Sequence, residues 1–430
     1  MIDRAGYRGV LATLILFTVS AGDFWRNSIS WAGWATVCLV LLGLAAVELV
    51  RERPTWRGVP VTLWLFLGFA GLSLIWSFYP GATALALGTT AVATVGAFYL
   101  AFCLDWAAFV RALDFALRWV LGLSLVFEAI AAVIVRAPVL PFFPAFDPEQ
   151  PDLPRSFYWS RALLLDGGRI QGIVGNANLL SMLALLALIV FSIRLVSGAV
   201  RRRAGITWIV VAVAVLALTR SSTVIVAAVV VVLALALLLL VRRLDDRARL
   251  TAYAVTAVLA VGGIVGAIAG REALLRLLGR SSDLTNRLDI WSAVTDLAVQ
   301  RPVGGWGWVS YWVPWVEPFD DLVVIRGVTY LQAHNAWLDL WFQVGVIGAV
   351  LFATLALSAF VRAWWQAAHR PRLASGAAGR FTTESVLPVL LLTALLVQSF
   401  AESRLLTELG WVLLVTLAVR LKADRRRTAA

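Results

Sequence analysis

The chain has two histidines, and one of them, His334, stands in Ala333-His334-Asn335, where a long polar stretch runs into an apolar one. An imidazole can accept a proton near neutral pH, and at a membrane edge it would do so in a half-dry site. Three arginines occupy similar junctions. Arg169 precedes a Gly/Asn-rich turn, Arg220 lies in Thr219-Arg220-Ser221-Ser222, and Arg287 lies in Asn286-Arg287-Leu288-Asp289. The guanidinium fork keeps its charge and meets oxyanions through paired, charge-assisted bonds. One base and several such cations suit the activation of a hydroxyl against a diphosphate. The hydroxyl must lose a proton as it bonds, and cations must meet the charge growing on the leaving group.

Each residue also has a plainer use. A loop arginine in a membrane protein pairs with lipid phosphate or a carboxylate, and a histidine at a helix start can cap it. Trp306, Trp308, Trp312 and Trp315 could stack on sugar rings, but an interfacial aromatic belt is the expected role. Glu317, Asp320 and Asp321 form one short acidic cluster, which reads as a solvated loop, so no metal is expected. Glu128 lies inside an apolar run and is a functional candidate by position, unless Arg118 or backbone satisfies it. Glu402, Arg404 and Glu408 at a helix end can pair with one another. His369 sits among loop arginines and reads as a solvated bystander. Cys38 and Cys103 lie in apolar runs and read as packing residues, not a disulfide or a metal pair.

These side chains need a scaffold, and composition says which kind. With 61% hydrophobic and 14% charged residues, the chain falls outside the soluble globular class. Apolar runs long enough to cross a bilayer recur from end to end. They lie near 8–22, 30–50, 59–78, 83–104, 115–135, 177–196, 205–219, 222–241, 250–270, 336–361, 385–401 and 405–421. The expected fold is therefore all-α, with about twelve transmembrane helices. Residues 1–430 form a single integral membrane domain, because no polar stretch is long enough to bury a core of its own. The start, Arg4 and Arg8 followed by Val10–Val19 and Ser20-Ala21-Gly22, resembles a signal peptide, but a retained first helix is expected.

The net charge of +12 does not point to nucleic acid, since the arginines sit in short loops between apolar runs. With both termini cytoplasmic, the clusters at Arg51/Arg53/Arg57, Arg201–Arg203, Arg242/Arg243/Arg247/Arg249, Arg362/Arg370/Arg372/Arg380 and Arg425–Arg427 all fall inside, as the positive-inside rule requires. Two long loops then face the extracytoplasmic side. The first, 136–176, begins Pro-rich, which excludes a long helix. The second, 271–335, holds an amphipathic helix: Ser281-Ser282-Asp283 can cap it, and Leu288, Trp291, Val294 and Ala298 make an apolar stripe expected to lie on the membrane surface. Arg301-Pro302 and Gly304-Gly305 end it.

Four patches carry a resemblance to a known family. They are Arg169-Ile170-Gln171-Gly172 with Asn176 and Asn178; Leu218 to Thr223 around Arg220; Asn286-Arg287-Leu288-Asp289-Ile290-Trp291 followed by Pro302-Val303-Gly304-Gly305-Trp306-Gly307; and Ala333-His334-Asn335 with Gly345-Val346-Ile347-Gly348. In order, spacing and common side of the membrane, this set resembles the O-antigen ligase and polymerase superfamily, bacterial membrane glycosyltransferases of GT-C-like fold. The likeness covers roughly residues 165 to 420. It implies an enzyme of the cytoplasmic (inner) membrane with its active site extracytoplasmic. That enzyme moves a glycan from undecaprenyl diphosphate to an acceptor hydroxyl on a glycan or lipid, with inversion and with no cofactor, nucleotide sugar or metal. It also implies His334 as the base and Arg220, Arg287 and Arg169 as diphosphate ligands, with Asn178, Asn335, Trp291 and Glu402 in support. Family members often read Ser-Arg where this chain reads Arg220-Ser221, and one residue turns a helical side chain by about 100°. The resemblance leaves two alternatives, ligase and repeat-unit polymerase, with the span count and outer loop leaning to ligase. From other classes, a flippase for lipid-linked saccharide would show symmetric halves with broken helices at mid-membrane, and a non-catalytic scaffold would leave the His/Arg set unexplained.

Overall fold

The structure is a computed structural model that describes residues 4–149, 151–270, 283–325, 327–370 and 379–429. The chain winds through α1 (Arg4–Ser20), α2 (Gly22–Glu52), α3 (Val61–Leu72), α4 (Pro80–Phe102), α5 (Trp106–Ala129), α6 (Ala177–Val196), α7 (Arg202–Thr219), α8 (Ser222–Val241) and α9 (Asp246–Ala269). Then come α10 (Asp283–Ala298), a hairpin of β1 (Val324–Ile325) and β2 (Val328–Thr329), α11 (Ala336–Ala368), α12 (Leu387–Gln398) and α13 (Glu408–Ala429). Every apolar run of the sequence is helical. Among the described residues, seven helices are long and apolar enough to cross a membrane, by length and composition. The protein is a mostly helical, multi-pass membrane protein.

Burial separates the helices by role. Leu180 and Leu183 to Ala187 of α6, and Trp411 to Leu414 of α13, are almost wholly enclosed. By contrast Leu39, Val210, Val232 and Leu259 of α2, α7, α8 and α9 expose apolar side chains, as a lipid-facing rim does. Pairs α1/α5, α6/α7, α4/α13 and α8/α12 pack against each other. Among its described residues the first long loop has no long helix, only short turns at Arg155–Phe157 and Gly172–Val174 and a bridge between Val139 and Ser160. Glu128, buried in α5, holds its far end. The carboxylate accepts from Ser160 Oγ at 2.8 Å, from Gln171 N at 2.8 Å and from Gly172 N at 2.7 Å. Two backbone N–H groups and the Ser160 hydroxyl, not Arg118, satisfy this acid; Arg118 pairs with Asp114 at 3.0 Å.

The second loop departs from expectation in three ways. It does bury an apolar cluster, built from Ile290, Val294 and Ala298 of α10 with Trp306, Val309, Trp312, Phe319, Val323 and Ala333, and closed by Tyr79 and Phe342 from the helix bundle. Borrowing those two rings lets a short polar stretch enclose a core that it could not fill alone. The buried stripe of α10 therefore faces this cluster, while Leu288 points outward at 41% exposure. Ser281 and Ser282 of the proposed cap lie outside the described residues. The tryptophans form no interfacial belt: Trp306, Trp308 and Trp312 are buried, and Trp315 alone of the four is exposed. Trp308 reaches into the bundle, where its Nε1 donates to Thr90 Oγ1 at 3.1 Å and its ring meets Phe66 edge-on. Glu317, Asp320 and Asp321 are exposed.

α11 is also not one rod, because Gly345 breaks it at φ 62°, ψ −171°. That conformation is open essentially to glycine alone. The broken turn frees backbone groups, and the Pro302–Gly307 segment takes them up. Trp306 N donates to Phe342 O at 3.0 Å, Gly307 N to Gln343 O at 2.8 Å, and Val346 N to Pro302 O at 2.9 Å. A Cβ on Gly345 would lie 2.1 Å from Val303 O, and one on Gly305 would lie 2.4 Å from the Gln343 carbonyl. Two of the four family-like patches are thus two sides of one junction.

Candidate functional site

Asn335 caps α11, with Oδ1 accepting from Trp337 N at 3.0 Å and Leu338 N at 3.3 Å. The cap belongs to Asn335, so His334 is released from it. His334 takes a left-handed backbone, φ 50°, a conformation that costs a non-glycine residue about 1–2 kcal/mol. The neighbours must hold it there. Trp291 Nε1, one turn after Arg287 on α10, donates to Ala333 O at 2.9 Å. Ala336 N donates to Ser399 O at 2.8 Å.

Glu402, 6% exposed, is where the candidate residues meet. Its Oε2 lies 2.8 Å from His334 Nδ1, and its Oε1 accepts from Arg287 Nη2 at 3.1 Å and from Asn178 Nδ2 at 3.2 Å. Burial alone would push the Glu402 carboxyl up. The neighbouring His334, Arg287 and Arg404 together outweigh it, and the group is held below the usual carboxylate range. An ionised carboxylate only accepts hydrogen bonds. Nδ1 must then carry the proton in this contact, so that whenever the ring is neutral its lone pair lies on Nε2. Arg404, next in sequence but one, pairs with Glu408 instead. Burial works against its charge, but Glu408 and Tyr311 raise its pKa, so it remains a fixed cation beside Glu402. Glu402 thus does not pair with its sequence neighbours; it joins the histidine.

Arg169 and the α7–α8 turn reach the same centre through Asn178. Asn176 caps α6, accepting from Asn178 N at 2.9 Å and Leu179 N at 3.1 Å, and this sets Asn178 on the first turn. Asn178 Oδ1 then accepts from Arg169 Nη2 at 2.5 Å and from Ser221 Oγ at 3.0 Å. Arg169 Nε donates to Thr219 O at 2.9 Å. Two donors of Arg169 are therefore engaged with protein, tying α6 to the α7–α8 turn. Arg220 sits in that turn with φ 48° and is exposed, its guanidinium 3.6 Å from where a Cβ on Gly167 would stand. Its neighbour Ser221 starts a polar chain, Ser221–Asn178–Glu402–His334, with links of 3.0, 3.2 and 2.8 Å. His369 lies elsewhere, stacked on Trp365. Sequence reasoning missed Ser221, Ser403 and Asp339; the last two are buried and adjoin the His334 segment.

This is a helical membrane protein with a histidine, an arginine and an asparagine converging on one buried carboxylate. Residues 207–353 match the family described as O-Antigen ligase. The matched region contains Arg220, Arg287, Trp291, His334 and Asn335, and leaves Arg169, Asn178 and Glu402 outside. The chain is also similar to the exopolysaccharide production protein ExoQ of Rhizobium meliloti (strain 1021), 26% identical over 166 residues. That alignment covers 37% of this chain and 36% of the relative's length. The resemblance to the O-antigen ligase superfamily is borne out by both matches.

Proposed function

We propose that the protein is a glycosyltransferase of the cytoplasmic membrane that moves a glycan from undecaprenyl diphosphate to an acceptor hydroxyl on the extracytoplasmic face. The observation that carries this reading is the shared carboxylate: Glu402 joins His334 Nδ1 and Arg287 Nη2. That arrangement sets a proton acceptor beside a cation, as the reaction needs. In the reaction, the acceptor oxygen bonds to the anomeric carbon as the bond from that carbon to the diphosphate oxygen breaks. The hydroxyl proton passes to His334 Nε2. The diphosphate leaves on its lipid, its charge met by Arg287 and Arg220. Attack opposite the leaving group inverts the anomeric centre. Arg169 and Asn178 hold the α7–α8 turn against Glu402, and Trp291 holds the His334 segment. The chemistry calls on no metal or cofactor, because the guanidinium groups supply the positive charge.

A second reading, polymerisation of repeat units, draws on the relative's printed name, which places that protein in exopolysaccharide production. Both readings use the same centre and differ in the acceptor. The test is incubation of purified protein with a defined undecaprenyl diphosphate glycan and either a repeat-unit acceptor or a distinct glycolipid acceptor. A single inverted linkage to the glycolipid supports a ligase, and a ladder of products supports a polymerase. Transbilayer movement of the donor with no new glycosidic bond would instead make the protein a transporter.

A further inference from the structure

His334 is held from both sides by two buried polar side chains that no motif singled out, and their proposed role rests on the base role given to His334 above. On its N-terminal side, Ala333 N donates to Asp339 Oδ2 at 3.1 Å. On its C-terminal side, Asn335 N donates to Ser403 Oγ at 3.2 Å. Ser403 Oγ closes the ring by donating to Asp339 Oδ2. Trp312 Nε1 adds a third donor, to Asp339 Oδ1 at 3.1 Å. Asp339 is 0% exposed and Ser403 2%.

Each atom has one role. A hydroxyl has a single proton; that of Ser403 goes to Asp339, which leaves its lone pairs for Asn335 N. The carboxylate meets donors only, and needs no proton of its own. The ring Ala333–Asp339–Ser403–Asn335 encloses His334, the residue with the left-handed backbone. Ser403 also follows Glu402 directly, and Glu402 holds the imidazole. The same hydroxyl therefore ties the backbone of the histidine to the residue next to its carboxylate partner. A clamp for the fold alone would not need to join these two segments around one imidazole.

We propose that Asp339 and Ser403 are positioning residues that fix His334 against Glu402, so that the ring stays aimed while the acceptor proton is transferred. They touch neither donor nor acceptor. Loosening them should slow the chemical step and leave the donor's affinity alone. A misplacement on the order of 1 Å is enough to cost about 100-fold in rate.

The test uses full-length protein, an undecaprenyl diphosphate-linked glycan with an acceptor for rates, and undecaprenyl diphosphate itself for binding by tryptophan quenching. D339N and S403A should each lower kcat about 10- to 100-fold, with Kd for undecaprenyl diphosphate changed less than about threefold. S403T, which restores the hydroxyl, should recover most of the rate. The inference is overturned if kcat stays within twofold of wild type, or if Kd weakens in parallel with kcat. Should D339N fail to fold, S403A and S403T decide alone. H334A separates the two levels. If H334A transfers normally, the base role itself is wrong; if H334A is inactive while S403A and D339N are not, only the positioning role falls.

Discussion

Glu402→Gln is the perturbation that the site geometry speaks to most fully. The carboxylate faces three donors, at 2.8 Å on Oε2 and at 3.1 and 3.2 Å on Oε1. An amide of the same shape has one oxygen and one NH2. With the NH2 in the Oε1 position, it meets Arg287 and Asn178, two donors that have no other state to adopt on that side. With the NH2 in the Oε2 position, it meets His334, whose ring can answer by shifting its proton from Nδ1 to Nε2. The second arrangement is the easier one, and it places a proton on the nitrogen that should receive one. Charge assistance is lost on both the His334 and Arg287 bonds, roughly 1–1.5 kcal/mol each. The sum of about 2–3 kcal/mol corresponds to a rate loss of about 30- to 200-fold. The assay is glycan transfer from undecaprenyl diphosphate by purified protein at saturating acceptor, with insertion and melting checked in parallel. Transfer by a folded E402Q within threefold of wild type would refute the reasoning, since no carboxylate would then be needed to orient the base.

Three further substitutions and one pH profile probe the rest of the site and its scaffold. Arg287→Lys should lower kcat/KM at least about tenfold in the same assay, because a point charge cannot replace the planar fork; near-full activity would count against paired binding of diphosphate. Gly345→Ala should destabilise the protein by about 2–4 kcal/mol, from the lost glycine-only conformation and from a Cβ placed 2.1 Å from Val303 O; an unchanged melting temperature would argue against the break in α11. Glu128→Ala leaves the backbone N–H groups of Gln171 and Gly172 without their acceptor; the cost should be about 2–4 kcal/mol, and protease cleavage in the 136–176 loop should rise, whereas unaltered cleavage would speak against the clamp. Because the Glu402 pKa is lowered from its ordinary 4.5, its contribution to stability is fully present above that value and is lost as pH falls through the depressed one. The stability difference between wild type and E402Q should therefore not decline as the pH is lowered to about 5, and should shrink only below that. A difference that fades between pH 7 and 6 would contradict the assignment.

Much of the scaffold was legible because the bilayer imposes one rule, a run of apolar residues long enough to cross, and each such run is helical here. His334, Arg287 and Asn178 were also legible, because polar side chains at the ends of apolar runs are few and conspicuous. The unread parts share a cause. Asp339 is a single polar residue in the apolar start of α11 and Ser403 lies in a short polar break; neither carries a local pattern, and their importance comes from contacts 64 residues apart in sequence. The break at Gly345 looks like any glycine in a membrane helix until Val303 is seen against it. The tryptophans were misread because an aromatic cluster in a short loop looks the same whether it faces lipid or a core completed by Tyr79 and Phe342. Glu402 could have been paired with Arg404 from sequence proximity; only the fold carries His334 to it.

The most direct measurement is the transfer rate of His334→Ala, in detergent or vesicles, with a lipid-linked glycan donor and the acceptor that wild type uses. The variant should insert, melt and bind undecaprenyl diphosphate as wild type does, yet transfer at least about 100-fold more slowly. Transfer at the wild-type rate would show that the hydroxyl proton leaves by another route, and that the imidazole on Glu402 is not the base.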